Sequence, residues 1–520
     1  VLHSSPVIVI GGGLAGLTAG LHLAERGVAP LLLEAAPRCG GRVAGGDAVT
    51  LEHAGQSWRF PAEHGIHGIW GQYHNLRAML RRHKIAADLV PASREDWLHG
   101  EGGRVWRAEA GSMVRRSPVP APFHYLGLLV RPCFLNMLTL RDLIGLPRVV
   151  GSLYLALAYD PLCEPAPLAG RTLVDLFTHW PPRLRAFISA LMRSGLAAHP
   201  ADVPLGGFLA FLRFYTLLRR DAWVFDYFPA DSGTSLIDPL VAAIERHGGV
   251  VTCGITVTKL ERNASGWDVH WRSTGATEAH TDEREGVVES GQLIVALDAP
   301  AAQRLLCASP ATAPAAASLA WPRGLSTGIV RLWFDVDPES AAESGICSGD
   351  FTIDNFFWLQ RFQRDCATWH AATGGSVVEA HIYGPQGVLD LPDAALLARA
   401  VHDIQRVYPA LRGHLLHSTL QRNPPSHTRF GIGAESCYLG VESPWPGLSC
   451  CGDWLRYPHP ALFLERACVT GIAAANHALA AYGAAPWELL PASPPEAPAA
   501  ALERGLRWVR KTVNRGKAPS

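Results

Sequence analysis

Lysine is almost absent: Lys84, Lys259, Lys511 and Lys517 are the only four in 520 residues, and arginine supplies the other basic side chains. Net charge is absent too, Lys+Arg and Asp+Glu standing at 46 each, which argues against nucleic acid or a strongly acidic partner. The 11 cysteines are scattered, with one adjacent pair (Cys450-Cys451) and no Cys-x-x-Cys spacing. That pattern indicates neither a disulfide framework nor a zinc site, and it fits a reducing, cytoplasmic setting. No basic stretch followed by an apolar core and a small-residue cleavage site opens the chain, so export is not expected. The apolar segment 125–159 is broken by Arg131, Arg141, Asp142 and Arg148, short of the roughly 18 to 20 uncharged residues that cross a bilayer.

What the chain does have is an apolar strand pattern at 7–10 running into Gly11-Gly12-Gly13-Leu14-Ala15-Gly16. A helical pattern at 14–26 and a second apolar run ending at Glu34 follow, the order of a dinucleotide-binding βαβ unit. Gly11 permits the tight turn, Gly13 lets the backbone approach a pyrophosphate, and Gly16 lets the helix close on the strand. Leu14 and Ala15 open the helix whose positive end faces the phosphates. The Glu34 carboxylate suits both hydroxyls of an adenosine ribose and would repel a 2′-phosphate, so an NADP-type ligand is disfavoured. No second fingerprint follows a strand: Gly431-Ile432-Gly433-Ala434 lacks the third glycine and a helix pattern. One nucleotide is therefore expected, with no evident place for a nicotinamide partner.

Directly after Glu34 comes Arg38-Cys39-Gly40-Gly41-Arg42, a glycine turn that can bring guanidinium forks onto phosphate oxygens. With this element the chain resembles the flavoprotein superfamily of amine oxidases and phytoene desaturases. The resemblance implies FAD, with Arg38, Gly40, Gly41 and Arg42 among its contacts. It also implies an α/β fold: a discontinuous Rossmann-like FAD-binding domain of the glutathione-reductase or amine-oxidase type, with an inserted α+β substrate domain.

The nucleotide-binding pattern resumes downstream. Residues 235–247 read as an amphipathic helix, 250–260 as a strand, 267–271 as its hairpin partner, and 293–297 as a buried strand ending at Asp298. By resemblance, Val257 is the position that touches adenine. A last strand reaches Gly452-Asp453 and is followed by a helix at 462–481. The resemblance gives Asp453 the ribityl-pyrophosphate section of FAD, with Gly452 and Leu462 beside it. The expected domains are thus 1–75, 225–300 and 441–490 for FAD, and 76–224 with 301–440 for substrate, the first insertion being apolar and helical in pattern. Residues 491–520 read as a Pro/Ala linker and a basic tail, either solvated or docked on anionic lipid.

Near the expected chemistry stands Glu63-His64-Gly65-Ile66-His67-Gly68, then Gln72-Tyr73-His74-Asn75-Leu76 opening a helix. Two histidines with a glutamate invite a metal reading, but Gly65 and Gly68 work against a helix that would aim both imidazoles together, and no metal is assigned. A turn histidine and a polar wall facing the flavin, through Gly65, Ile66 and His67, are the other readings. Together with Pro458, Pro460-Ala461, Glu465-Arg466-Ala467 and Thr470-Gly471, these motifs resemble the branch of carotene desaturase/methyltransferases of the isorenieratene-synthase type. Ile66, Trp70, His74, Tyr457 and His459 depart from it, and the two imidazoles and the phenol among them would tolerate a more polar substrate than a pure hydrocarbon. The branch implies an FAD-dependent oxidoreductase acting on an apolar isoprenoid, by hydride transfer to the flavin, with His67 as the candidate catalytic residue. A flavin amine oxidase, a redox-neutral carotenoid isomerase and a non-catalytic flavin- or lipid-binding subunit stay open. Peripheral contact with the cytoplasmic face of a membrane also stays open, and oligomeric state is not legible.

Overall fold

Strand Ser5–Ile10 carries Val7, Ile8, Val9 and Ile10 in succession, all buried, as a parallel strand covered on both faces requires. In the computed structural model it lies at the centre of a seven-stranded sheet. Pro30–Glu34 and then Val250–Cys253 pair in parallel on one side, and Glu285–Val295 on the other. The far half of Glu285–Val295 pairs in parallel with Leu448–Cys450, while its near half begins an antiparallel meander through Trp267–Ser273 and Ile255–Arg262. This is a discontinuous nucleotide-binding type of α/β sheet, its strands drawn from three separated segments as the sequence pattern implied. The described residues are all but 1–4, 44–45, 87, 165–167, 178, 274–283, 340–341, 429–437 and 516–520, together with the side chains of 113 and 513–515. The Gly431-Ile432-Gly433-Ala434 stretch and Lys517 lie outside them.

Helix Leu14–Ala24 is buried along its whole length, because the sheet covers one face and helices Phe463–Ala481 and Asp238–Arg246 cover the others. Small residues make that approach possible. A Cβ on Gly471 would stand 2.6 Å from the Ala15 carbonyl oxygen, closer than real atoms come.

A second seven-stranded sheet runs in the order Leu415–Thr428, Gly324–Phe334, Ser376–Ile382, Asn355–Trp358, Ser344–Gly349, Glu95–Glu101, Arg104–Glu109. Its strands come from both insertions, so the first insertion is not purely helical as its pattern suggested. Residues 95–101 and 104–109 form a hairpin whose first strand pairs in parallel with Ser344–Gly349. The remainder of that insertion is helical, including Leu140–Leu155, Pro182–Leu196 and Leu205–Phe211, the last running into a π-helical turn, Leu212–Leu217.

Three local expectations change. The helix expected at 235–247 begins as a π-turn, Gly233–Ile237, before Asp238–Arg246. The strand expected at 250–260 is two strands broken at Gly254, whose φ of +73° suits glycine. The Pro/Ala linker and basic tail is not loose: helix Ala497–Arg515 packs on residues 156–158, with Ala499 fully buried. Arg213 holds Glu503 at 2.7 Å, Arg507 holds Asp160 at 3.0 Å, and Arg510 pairs with Glu164. Basic residues that read as a solvated run thus find acids contributed by the 160–164 segment.

Candidate functional site

The turn after the first strand is built as the glycines demand. Gly11 has a φ of +109°, and a Cβ there would stand 2.7 Å from the Ala296 carbonyl oxygen of the neighbouring strand's end. A Cβ on Gly16 would come within 2.0 Å of the Gly11 carbonyl oxygen, so helix and turn touch without a side chain between them. Around Gly13 the opposite holds: a Cβ would meet nothing within 4 Å. No side chain caps the helix that begins at Leu14, which leaves the N–H groups of Leu14, Ala15 and Gly16 facing that open space. A cradle of backbone donors with room above its middle glycine fits the pyrophosphate of a dinucleotide.

Glu34 ends the second strand within reach of the same turn. Its carboxylate accepts from Gly12 N at 2.6 Å and from Ala36 N at 2.8 Å. Cys253 lies opposite Glu34 in the sheet, and after the bend at Gly254 the next strand carries Val257, half-buried against the cluster that includes Leu31 and Leu33. Gly40 donates to the Gly12 carbonyl at 2.9 Å, seating the arginine-flanked turn against the glycine turn. Arg38 and Gly41 are exposed, and Gly40 is buried.

Arg42 and Asp453 meet. Their 2.6 Å ion pair joins residues 411 positions apart and ties the first segment to the last. Burial would raise the Asp453 carboxyl, but the Arg42 guanidinium outweighs it and holds the group below the usual carboxylate range. Gly452, at a φ of +150°, donates to Thr470 Oγ1 at 3.0 Å, which fixes this strand end on the following helix. Leu462 is fully buried and precedes that helix; its N–H donates to the Tyr215 hydroxyl at 3.1 Å. Arg466, also buried, donates to the carbonyls of Leu455, His459 and Ala461 and so clamps the 455–461 loop.

The Glu63 to Gly68 loop leads into strand Gly68–Trp70, which pairs with Phe225–Tyr227. Glu63 turns inward, accepting from Ser232 N at 2.6 Å and Gln363 Nε2 at 3.2 Å, rather than toward the histidines. Gly65, at a φ of +127°, is the bend, and a Cβ there would sit 3.4 Å from the His381 ring. His67 is half-buried, and its Nδ1 has no hydrogen-bond partner among the described residues. Burial, then His64 and His381, push its imidazole down to about 4, so the ring is neutral at pH 7 and is a weaker base than an ordinary histidine.

Beneath this loop lies a charged cluster that the sequence reading missed. Arg331 and Glu379 face each other across paired strands at 2.7 Å, both buried. His381 Nε2 lies 3.0 Å from the other Glu379 oxygen and 3.5 Å from the Ile66 amide, and its Nδ1 lies 2.6 Å from the Tyr383 hydroxyl. Arg331 also donates to the Pro61 carbonyl at 2.6 Å. Burial would raise Glu379, but Arg331 and His381 pull it down to about 2. Burial, then the Glu379 charge, push Glu63 up to about 7. The available signal was alternation: Glu379 and His381 share one face of an apolar strand, where polar residues at spacing two call for a buried partner.

None of the described lysines is on this loop. Lys84 ends helix His74–His83, and Lys259 pairs with Glu261 at 2.6 Å on the outer meander.

Residues 14–479 match the family of flavin-containing amine oxidoreductases. A carotenoid phi-ring synthase of Streptomyces griseus is 30% identical over 495 residues, covering 92% of this chain and 88% of that protein. A carotenoid phi-ring synthase of Chlorobaculum tepidum is 23% identical over 590 residues, covering 90% and 87%. Among solved structures, cyclohexylamine oxidase from Brevibacterium oxydans superposes with a TM-score of 0.62 at 14% identity, covering 92% of this chain and 100% of that one, a likeness of fold. With its cradle for one dinucleotide, this chain is an FAD-dependent oxidoreductase, and it belongs to the flavin-containing amine oxidoreductase family.

Proposed function

We propose that the chain oxidises an apolar isoprenoid of the carotenoid class, removing hydride from a carbon beside a polyene or ionone ring. Similarity to the two phi-ring synthases over about nine-tenths of the chain supports the substrate class. The observation that carries the reading is the rim of the first insertion. Val130, Leu140 and Ile144 are 79%, 75% and 75% exposed, and Phe123, Leu126, Leu143 and Leu155 are exposed around them. Arg131, Arg141 and Arg148 are exposed among these side chains, whereas the one acid in 119–159, Asp142, is fully buried. An apolar rim with cationic points and no exposed carboxylate suits an anionic bilayer surface, the phase in which a carotenoid dissolves. The contact is peripheral in this reading, since no helix among the described residues is long and apolar enough to cross a membrane.

In the same reading, the N–H groups from Gly13 to Gly16 hold the pyrophosphate, Glu34 the adenosine ribose and Val257 the adenine. Gly11, Gly40 and Gly41 shape the turns, and Arg38 and Arg42 supply positive charge. Gly452, Asp453 and Leu462 flank the ribityl chain, and Gly65, Ile66 and His67 face the ring system. Bound FAD supplies the two-electron acceptor that no side chain can provide. The neutral His67 imidazole takes the proton leaving the adjacent carbon, and the 205–217 helix with its π-turn, which buries Phe208, Phe211, Phe214 and Tyr215, keeps water from the reacting bond.

Three measurements test this. FAD-loaded protein in detergent is mixed anaerobically with carotenes carrying ionone rings and, separately, with primary amines. Bleaching of the flavin band by the carotenes alone is expected, and bleaching by amines alone overturns the proposal. His67→Gln is expected to keep its FAD and lose roughly 100-fold or more in turnover; unchanged turnover removes His67 from the chemistry. Flotation with anionic vesicles tests the rim, where Ile144→Glu is expected to release the protein.

A further inference from the structure

Away from the glycine turn, three helices end at one place. Glu25 follows helix Leu14–Ala24, His83 closes helix His74–His83, and His247 follows helix Asp238–Arg246. His83 Nε2 lies 2.9 Å from Glu25 Oε1, and the His83 and His247 rings stand 5.9 Å apart, centre to centre. One donor atom from each of the three residues falls within 4.8 Å of the other two. Two imidazoles and a carboxylate form a donor set for zinc or a similar borderline divalent cation, with water completing the shell. We propose that Glu25, His83 and His247 form a zinc-type metal site that staples these three helix ends together.

The geometry needs little adjustment. Bonds of about 2.0 to 2.1 Å in a tetrahedral shell place donor atoms about 3.3 Å apart. Glu25 and His83 already stand near that spacing, and His247, whose side chain is exposed, is the ligand left to turn inward. Each helix contributes its carboxyl-terminal end, where roughly half a negative charge collects, and three such ends favour a cation.

Arg82 is the opposing group. Its guanidinium donates to both Glu25 oxygens, at 2.7 and 2.8 Å, and lies over the Trp487 ring at 4.5 Å. Ligating carboxylates are commonly held by a second partner of this kind, which orients them. Its positive charge lowers the affinity that the three helix ends raise.

The site is remote from the proposed chemistry. Helix Leu14–Ala24 has 11 residues, which sets Glu25 about 16 Å from the phosphate turn. Its role is therefore to secure helix His74–His83, which follows the His67 loop, onto the nucleotide-binding layer. This does not depend on which substrate the enzyme oxidises.

The test uses FAD-loaded, full-length protein stripped with a chelator and titrated with Zn²⁺ or Co²⁺ alone. One equivalent is expected to bind, with the visible absorption of tetrahedral cobalt and a rise in Tm of roughly 2 °C or more under saturating zinc. His247→Ala, a change at an exposed residue, and His83→Gln are each expected to abolish both signals while retaining FAD and turnover. Absence of saturable binding overturns the proposal. So does binding that survives in either variant, since all three ligands are required.

Discussion

Gly13 and Gly16 stand three residues apart in one turn, yet their alanine variants are expected to fail in different ways. Gly13 has a φ of −72° and a ψ of 174°, which any L residue adopts, and its added Cβ would touch nothing. As a helix N-cap, alanine is poorer than glycine by about 1 kcal/mol at most, so the apoprotein of Gly13→Ala should fold almost normally. The methyl group would instead fill the space above the helix N–H groups. Losing two hydrogen bonds to a charged phosphate, at about 1.5 to 3 kcal/mol each, weakens FAD binding by roughly 10² to 10⁴-fold. Gly16→Ala places its Cβ 2.0 Å from the Gly11 carbonyl oxygen and 3.0 Å from Ala296 Cβ, so helix and strand must part by more than 1 Å. Overpacking of this kind costs about 1 to 3 kcal/mol or more, and the variant should lose apoprotein stability and FAD together. Flavin content after purification, FAD titration by fluorescence quenching and urea unfolding of both apoproteins separate the two effects. Gly13→Ala binding FAD within about threefold of wild type would refute the placement of the pyrophosphate. An equal loss of apoprotein stability in both variants would refute the contrast between open and filled space.

Two further substitutions test the supports of the site. Glu379→Gln removes the counter-charge of Arg331, whose side chain is only 5% exposed, and is expected to cost about 3 to 5 kcal/mol by urea unfolding. Glu465→Ala removes the carboxylate that accepts from the Asn75 and Leu76 amides at the start of helix His74–His83, at 2.9 and 3.0 Å; about 1 to 3 kcal/mol is expected, with faster amide exchange confined to that helix's first turn.

The FAD-binding unit was legible because its signals are local. Strand, three glycines, helix and terminal acid occupy residues 5–34, and each glycine's role follows from spacing alone. The second sheet was less so. Strands 95–101 and 104–109 sit inside a largely helical insertion, and their partner at 344–349 lies some 250 residues away. The Arg331, Glu379 and His381 cluster was hidden for the same reason: each is a single polar residue within an apolar strand, and only the pairing of Gly324–Phe334 with Ser376–Ile382 sets Arg331 opposite Glu379. In the tail, the amphipathic pattern was visible, but the acids that decide between solvation and docking, Asp160 and Glu164, precede it by more than 300 residues.

Buried titratable groups fix how stability depends on pH. Burial holds His22, His124 and His459 at about 4 in the folded protein, against an ordinary value of 6.5. The unfolded chain therefore binds protons more readily between those values, and folding weakens as the pH falls from about 6.5 to 4. Each of these buried histidines contributes about 3 kcal/mol to that loss. Glu63 acts in the opposite sense. Its value of about 7, raised from 4.5, means that the folded state holds the extra proton, and stability declines as the pH rises through that range, again by about 3 kcal/mol. Burial also raises the carboxyls of Glu95, Asp96, Asp354, Asp403 and Glu465, which act in the same sense as Glu63, while His67 and His427, likewise held at about 4, join the other three histidines. With five histidines displaced this far, net stability should rise with pH up to about 6.5. Glu379, held near 2, adds a further loss only below 4.5. Urea unfolding at half-unit steps from pH 4.5 to 8 measures the curve. Glu63→Gln should steepen its rise, because it removes an opposing slope, whereas a flat curve would show that the buried histidines are not held neutral by the fold.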